Sequence, residues 1–169
     1  MILGIGAAAA IAMSAIAYVG GLRFNLTPSY ALGIWRIVSL DRKVVVGDLI
    51  FICPPPTASF AVARERGYLR PGLCPGWLSP LIKTVVAKEG QHVGIGRTIV
   101  IDGSPLPYSQ ICQSDADGRA LIAHAGGFVP PGHLFLYSTF AGSYDSRYFG
   151  PIPAAGVLGL AQPVLTVTP

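Results

Sequence analysis

Few plans for covalent chemistry can be drawn from the side chains of this 169-residue chain. A Ser-His-Asp triad would have to draw on His92, His124 or His133, each in a glycine- or proline-flanked stretch, and no GxSxG elbow is present. No HExxH motif or His/Asp cluster suggests a metal. Only eight Asp and Glu exist, most of them in predicted turns, which argues against a carboxylate pair. A serine with a lysine base remains. Lysine ordinarily titrates near ~10.4 and is charged at neutral pH. Burial disfavours the ammonium and can lower that value by up to ~3–5 units. Lys83 is flanked by Leu81, Ile82, Val85, Val86 and Ala87, apolar on both faces of a strand, which makes it a candidate for desolvation whichever way it points. Its flexible stem could then take a proton from a serine hydroxyl. The competing structural reading is a solvated edge-strand lysine that discourages aggregation. Residue types alone leave both open.

The serine is Ser29, in the stretch Asn25-Leu26-Thr27-Pro28-Ser29-Tyr30-Ala31-Leu32-Gly33. This stretch begins just after Ile2 to Leu22, which contains no charged residue. At ~1.5 Å per residue that segment makes about 31 Å of helix, enough to cross a hydrocarbon core of ~30 Å. A hydroxyl just beyond a membrane span is well placed to act on chains emerging from the bilayer. A cleaved signal peptide is the alternative, with Ala15-Ile16-Ala17 as a cleavage site. The missing basic n-region and the length of the apolar stretch favour a retained anchor over residues 1–23, followed by an exported domain over 24–169. Arg23, Arg36, Arg42 and Lys43 all follow the span and none precedes it, which argues for a cytoplasmic domain. That rule weakens for long domains, and the exported placement is kept on functional grounds.

The elements that must position Ser29 and Lys83 read mostly as strands. Leu32 to Leu40 predicts one or two, and Val44 to Ile52 a strand pair broken at Gly47-Asp48, ended by Pro54-Pro55-Pro56. Ser59 to Arg70 predicts the one helix outside the membrane, with Gly67 at its stop, and Leu69 to Ser79 a Pro/Gly-rich loop. Leu81 to Lys88 is a strand by β-branched content, and Glu89-Gly90 turns it. Thr98 to Gly103 runs into an Asp-Gly hairpin turn, Asp115 to Gly118 is another turn, and Phe128 to Leu136 leads into Tyr137. Gly142 to Gly150 is a polar-aromatic loop, and Gly156 to Val167 closes the chain with apolar strand.

Charged residues make up 12% of the chain, against roughly 25% in a typical soluble domain. So sparse a surface suits a domain that leans on a lipid bilayer or binds extended apolar chain. The net charge of +4 comes from scattered Lys and Arg with no aromatic interleaving, which argues against nucleic-acid binding. Cys53, Cys74 and Cys112 permit one disulfide in an exported domain. Cys53 with Cys74, each followed by proline beside a loop, is the pair that would form it, and three buried thiols are an equally good reading.

Four stretches, in order, resemble successive boxes of the type I signal peptidase family: Asn25 to Tyr30, Gly47 to Phe51, Ile82 to Gly90 and Gly142 to Gly150. Thr27-Pro28-Ser29, the Gly67-to-Pro75 loop and Asp145 to Pro151 are similar to its conjugative-transfer, pilin-maturing branch (TraF type). The resemblance implies a mainly β, signal-peptidase-like β-barrel or folded-sheet catalytic domain with one short helix, behind a single N-terminal transmembrane helix. It implies Ser29 as nucleophile and Lys83 as general base. Thr27 and the Ser29 N–H would form the oxyanion hole, Ser143 would orient the base, and Asp145 with Arg147 would hold the last loop. Lys88 falls outside the base position. Pro28 and Tyr30 depart from the family's usual small residue and methionine, so they are assigned to substrate binding.

Two functions follow. One is a membrane-anchored Ser/Lys endopeptidase that processes an exported precursor polypeptide, a pilin or a signal-peptide-bearing chain, by hydrolysis or by cyclisation. It implies no cofactor. The other is a non-catalytic assembly module of a conjugation or secretion machine. The second gives no reason for Ser29 and Lys83 to fall in matching boxes.

Overall fold

The computed structural model describes residues 18–168. The segment expected to cross the membrane lies outside them up to residue 17, and among the described residues no helix is long and apolar enough to span a bilayer. Across the expected boundary after residue 23, β1 (Leu22–Asn25) pairs with β2 (Leu32–Val38). The two form a hairpin whose loop, residues 26–31, carries Ser29. Gly33 closes that loop at φ +127°, and a Cβ there would sit 2.2 Å from the Leu165 carbonyl oxygen. Only glycine lets the hairpin approach the neighbouring strand so closely.

The remaining elements are β3 (Leu49–Ile52), α1 (Ala58–Glu65), β4 (Pro71–Cys74), β5 (Leu81–Lys88), β6 (His92–Ile95), β7 (Ile99–Ile101) and β8 (Ser104–Pro105). After them come β9 (Gly127–Phe128), β10 (His133–Tyr137), α2 (Ser146–Phe149), β11 (Ile152–Pro153) and β12 (Val157–Val167). They build a seven-stranded sheet in the order β1-β2-β12-β3-β5-β10-β11 and a smaller four-stranded sheet β8-β7-β6-β9. Every pairing is antiparallel. Among the described residues the body is mainly β, with α1 of about two turns, the single-turn α2 and a 3-10 turn at Ala154–Gly156.

Several expected elements shift. Val44 to Val46 is not a strand: Asp48 accepts the Val45 N–H and pairs with Arg42, while Gly47 takes φ +96°, so the chain bends before it joins the ladder at Leu49. The helix stops at Glu65 rather than Arg70. Gly67 turns it at φ +78°, and the Gly67 and Tyr68 N–H groups close on the Arg64 and Ala63 carbonyls, a Schellman-type end. The Pro/Gly-rich loop holds the short strand β4, bridged to Leu78. The hairpin turn at Asp102-Gly103 is as expected, with both residues at positive φ.

One core lies under α1, where Phe60 and Ala63 pack on Ile50, Ile52, Val85 and Leu136. A second joins Val93 and Ile99 of the small sheet to Phe135. The third, Trp35 with Phe51, Ile82 and Ala161, secures the β1–β2 hairpin. β5 runs between all of them, which is why its residues alternate so little in exposure. A strand covered on both faces reads as a continuous apolar run.

Candidate active site

Lys83 is the departure from that run. It is 3% exposed, directly opposite Ile50 in the β3–β5 ladder, and shares a face with Leu81 and Val85 by strand alternation. Burial lowers its pKa from an ordinary 10.5 to about 8; Asp145 opposes the shift and Arg147 adds to it. Its Nζ donates to Ser143 Oγ at 2.8 Å. Ser29 Oγ donates to the same hydroxyl at 3.4 Å. Residues far apart in the chain therefore meet at Ser143, which stands between the half-buried Ser29 and the buried amine. Among the described residues no hydrogen bond joins Ser29 to Lys83 directly. Lys88 lies elsewhere, its Nζ donating to the Val44 carbonyl at 3.5 Å.

Asn25 shapes the Ser29 loop. It is 7% exposed, and its Nδ2 donates to the carbonyls of Thr27, Tyr30 and Ala31, each at 3.0 Å. Its Oδ1 accepts from the Thr27 N–H at 3.2 Å and from Thr27 Oγ1 at 2.9 Å. One side chain thus satisfies a turn that has few backbone partners of its own. The Thr27 hydroxyl expected at an oxyanion hole is occupied by Asn25, whereas the Ser29 N–H meets no acceptor among the described residues. From the other side, Ser138 Oγ donates to the Ser29 carbonyl at 2.6 Å.

Ser143 owes its place to a buried ion pair. Asp145 and Arg147 are both fully buried, with Nε to Oδ1 at 2.8 Å. Arg147 Nη2 reaches the carbonyls of Ser138, Phe140 and Ser143, and Asp145 Oδ2 accepts the Ser138 N–H at 3.1 Å. Asp145 also caps α2 by accepting the Arg147 N–H. A planar guanidinium with five donors can gather loop carbonyls in this way, and the paired carboxylate offsets the cost of burying its charge.

Ser29, Thr27, Pro28 and Lys83 line a cleft of about 920 Å³. Its walls come from the β1–β2 hairpin, from the ends of β3 and β5, and from the strap between α1 and β5. Tyr30, expected at the substrate, is instead turned into the third core. Its hydroxyl bonds Thr84 Oγ1 at 2.6 Å and the Tyr137 carbonyl, and its ring meets Trp35 edge-on at 6.3 Å. Cys53 and Cys74 form a disulfide that ties β4 to the end of β3, both on the cleft wall. Cys112 is free and half-buried. Asn25, Thr84 and Ser138 carry contacts that the sequence reading did not assign. An Asn two residues before Thr27 is a recognisable Asx-turn signal, but nothing in the local sequence marks Ser138. Among the described residues no group of His, Cys, Asp and Glu could hold a metal ion.

A family model described as signal peptidase, peptidase S26, matches residues 1–166. The chain belongs to that signal peptidase family. Its relatives include the probable conjugal transfer protein TraF of Sinorhizobium fredii, 56% identical over 95% of this chain and 86% of the relative. The conjugal transfer protein TraF of Agrobacterium tumefaciens is 58% identical over 94% of this chain and 90% of its own length. A plasmid transfer protein TraF of Escherichia coli is 33% identical over 96% and 93%. A solved signal peptidase I from Enterococcus faecalis is 23% identical, with 70% of this chain and 97% of that chain covered at a TM-score of 0.44, too loose a likeness to carry an argument. This signal peptidase family member is therefore similar along nearly its whole length to proteins named for conjugal transfer.

Proposed function

We propose that the chain is a membrane-anchored serine endopeptidase of a conjugation apparatus, with Ser29 as nucleophile and Lys83 as general base. The observation that carries this reading is the pair of hydrogen bonds converging on Ser143 Oγ from a half-buried serine and a fully desolvated lysine. The neutral amine has a lone pair. Ser143 can donate its own proton to that lone pair while accepting the proton of Ser29. The Ser29 oxygen then attacks a peptide carbonyl in the cleft, and the developing oxyanion meets the Ser29 N–H. The Thr27 hydroxyl would join it on leaving Asn25. The protonated Lys83 returns its proton to the leaving amine, and an acyl-serine remains. Water activated by the same base completes hydrolysis. An amine of the substrate itself would instead close a ring, with the same serine released.

In this reading the apolar segment Ile2 to Leu22 is a retained anchor and the cleft faces outward from the cytoplasmic membrane. There it meets precursor polypeptides, a pilin subunit in the reading that the TraF relatives favour. The direct test is mass spectrometry of small exported proteins from cells carrying wild type or Ser29→Ala. A precursor whose terminus changes only with wild type is the expected result, and a further loss of one water would identify cyclisation. Identical termini in both strains would reject the peptidase.

A further inference from the structure

The cleft that holds Ser29 is electrically one-sided. Three cationic side chains line it, Arg23, Arg70 and Lys83, and among the described residues no Asp or Glu does. Two of the three are committed. Arg23 donates to the Tyr18 and Leu22 carbonyls and lies 3.7 Å from the centre of the Tyr18 ring. Lys83 is the buried amine on Ser143. Arg70 is exposed, and its guanidinium makes no hydrogen bond or ion pair with any described residue.

Its setting separates it from an ordinary solvated arginine. Arg42, Arg119 and Arg147 satisfy carboxylate partners within the fold, and of the arginines whose guanidinium has no hydrogen-bond partner among the described residues Arg70 is the one that lines the cleft. Arg70 sits on the strap between α1 and β5, and its own backbone is fixed by the Ser79 N–H on its carbonyl at 2.9 Å. The Cys53–Cys74 disulfide anchors the same strap a few residues on. Arg70 thus holds its charge on a braced backbone at a cleft whose other walls include the apolar Phe51, Leu81 and Leu158, where a concave lining of one sign draws an anion entering it.

We infer that Arg70 forms a carboxylate subsite in this cleft, which selects substrate chains with an acidic group close to the bond that is cut. A bidentate guanidinium–carboxylate pair is the contact that this fork makes best. The carboxylate could be an Asp or Glu side chain or the free terminus of a short leaving segment, since the chemistry is shared. The inference deepens the peptidase reading and rests on it for the meaning of the cleft.

The test is binding, so that it does not depend on turnover. Full-length Ser29→Ala chain in detergent is titrated with an alanine-rich fluorescent peptide in four forms: free terminus, amidated terminus, internal Glu and internal Gln. Binding about tenfold tighter to a carboxylate form than to its neutral twin is expected, with the difference abolished in Ser29→Ala/Arg70→Gln and weakened by added salt. The preferred twin pair tells a terminal carboxylate from a side-chain one. Equal binding of all four forms, or a preference that survives Arg70→Gln, overturns the subsite. Cleavage of the same peptides by the Ser29 chain is read in parallel. Carboxylate-dependent binding without any cleavage would uphold the subsite and count against the peptidase.

Discussion

Burying Lys83 costs stability in a pH-dependent way. Its pKa is about 8 in the folded chain against an ordinary 10.5, so between these values the unfolded chain holds more protons and stability rises with pH. Below about pH 8 both states are protonated and the full cost, roughly 3 kcal/mol, is present. Lys83→Met should therefore raise Tm by several degrees at pH 7 while abolishing processing, and the gain should shrink as pH climbs toward 10.5. Thermal melts at two pH values check this; an unchanged or lowered Tm at pH 7 contradicts it. Ser138 acts at the same scale. Its hydroxyl fixes the Ser29 carbonyl, so Ser138→Ala should lower kcat by about tenfold with KM little changed. A rise in KM alone would mean that it shapes the cleft rather than the serine. Neither role can be read from residue types alone. The apolar neighbours of Lys83 are visible in sequence, but whether the amine points inward depends on a ladder partner, Ile50, that pairing alone supplies.

At the scale of elements, the β1–β2 hairpin is the device that presents Ser29. Gly33→Ala would drive a methyl group against the Leu165 carbonyl at a backbone φ that alanine resists, and should cost about 2–4 kcal/mol and most of the activity without touching any reacting group. Gly96→Ala, with open space around its Cβ, is the control and should be near neutral. Denaturant melts of the two variants give the comparison; equal stability would show that the hairpin tolerates displacement. Strand β5 was legible to the residue because its β-branched run is long and bounded by Pro80 and by Glu89-Gly90. β1 was hidden, since Leu22 and Arg23 read as the end of an apolar segment and only pairing with Arg36 and Trp35 makes them a strand. Val44 to Val46 failed in the opposite sense: three valines favour a strand, but the Arg42–Asp48 clamp and Gly47 turn them out of the ladder. Tyr30 was misplaced for a similar reason, because its pull toward Thr84 and Trp35 is tertiary.

At the scale of the whole molecule, the four boxes of the resemblance become one site because β5 is central and the loops before β2 and after β10 fold over it. Sequence order therefore conveyed the family and the mainly β class, while the contacts among the boxes required the sheet. The proposed topology runs against the positive charges that follow the apolar segment. A reporter active only outside the cytoplasm, fused beyond residue 168, should be active in cells, and added protease should degrade the catalytic body in spheroplasts. An inactive fusion with a protected body would place the cleft in the cytoplasm. The central claim is that a desolvated lysine activates Ser29. It is met most directly by the rate at which a serine-reactive probe labels Ser29 as pH is varied, in wild type and in Lys83→Met. The account predicts a rate that rises with pH to a half-maximum near 8 and falls at least a hundredfold in Lys83→Met. Labelling of Ser29 at the same rate in both proteins, or with no dependence on pH across that range, would contradict it.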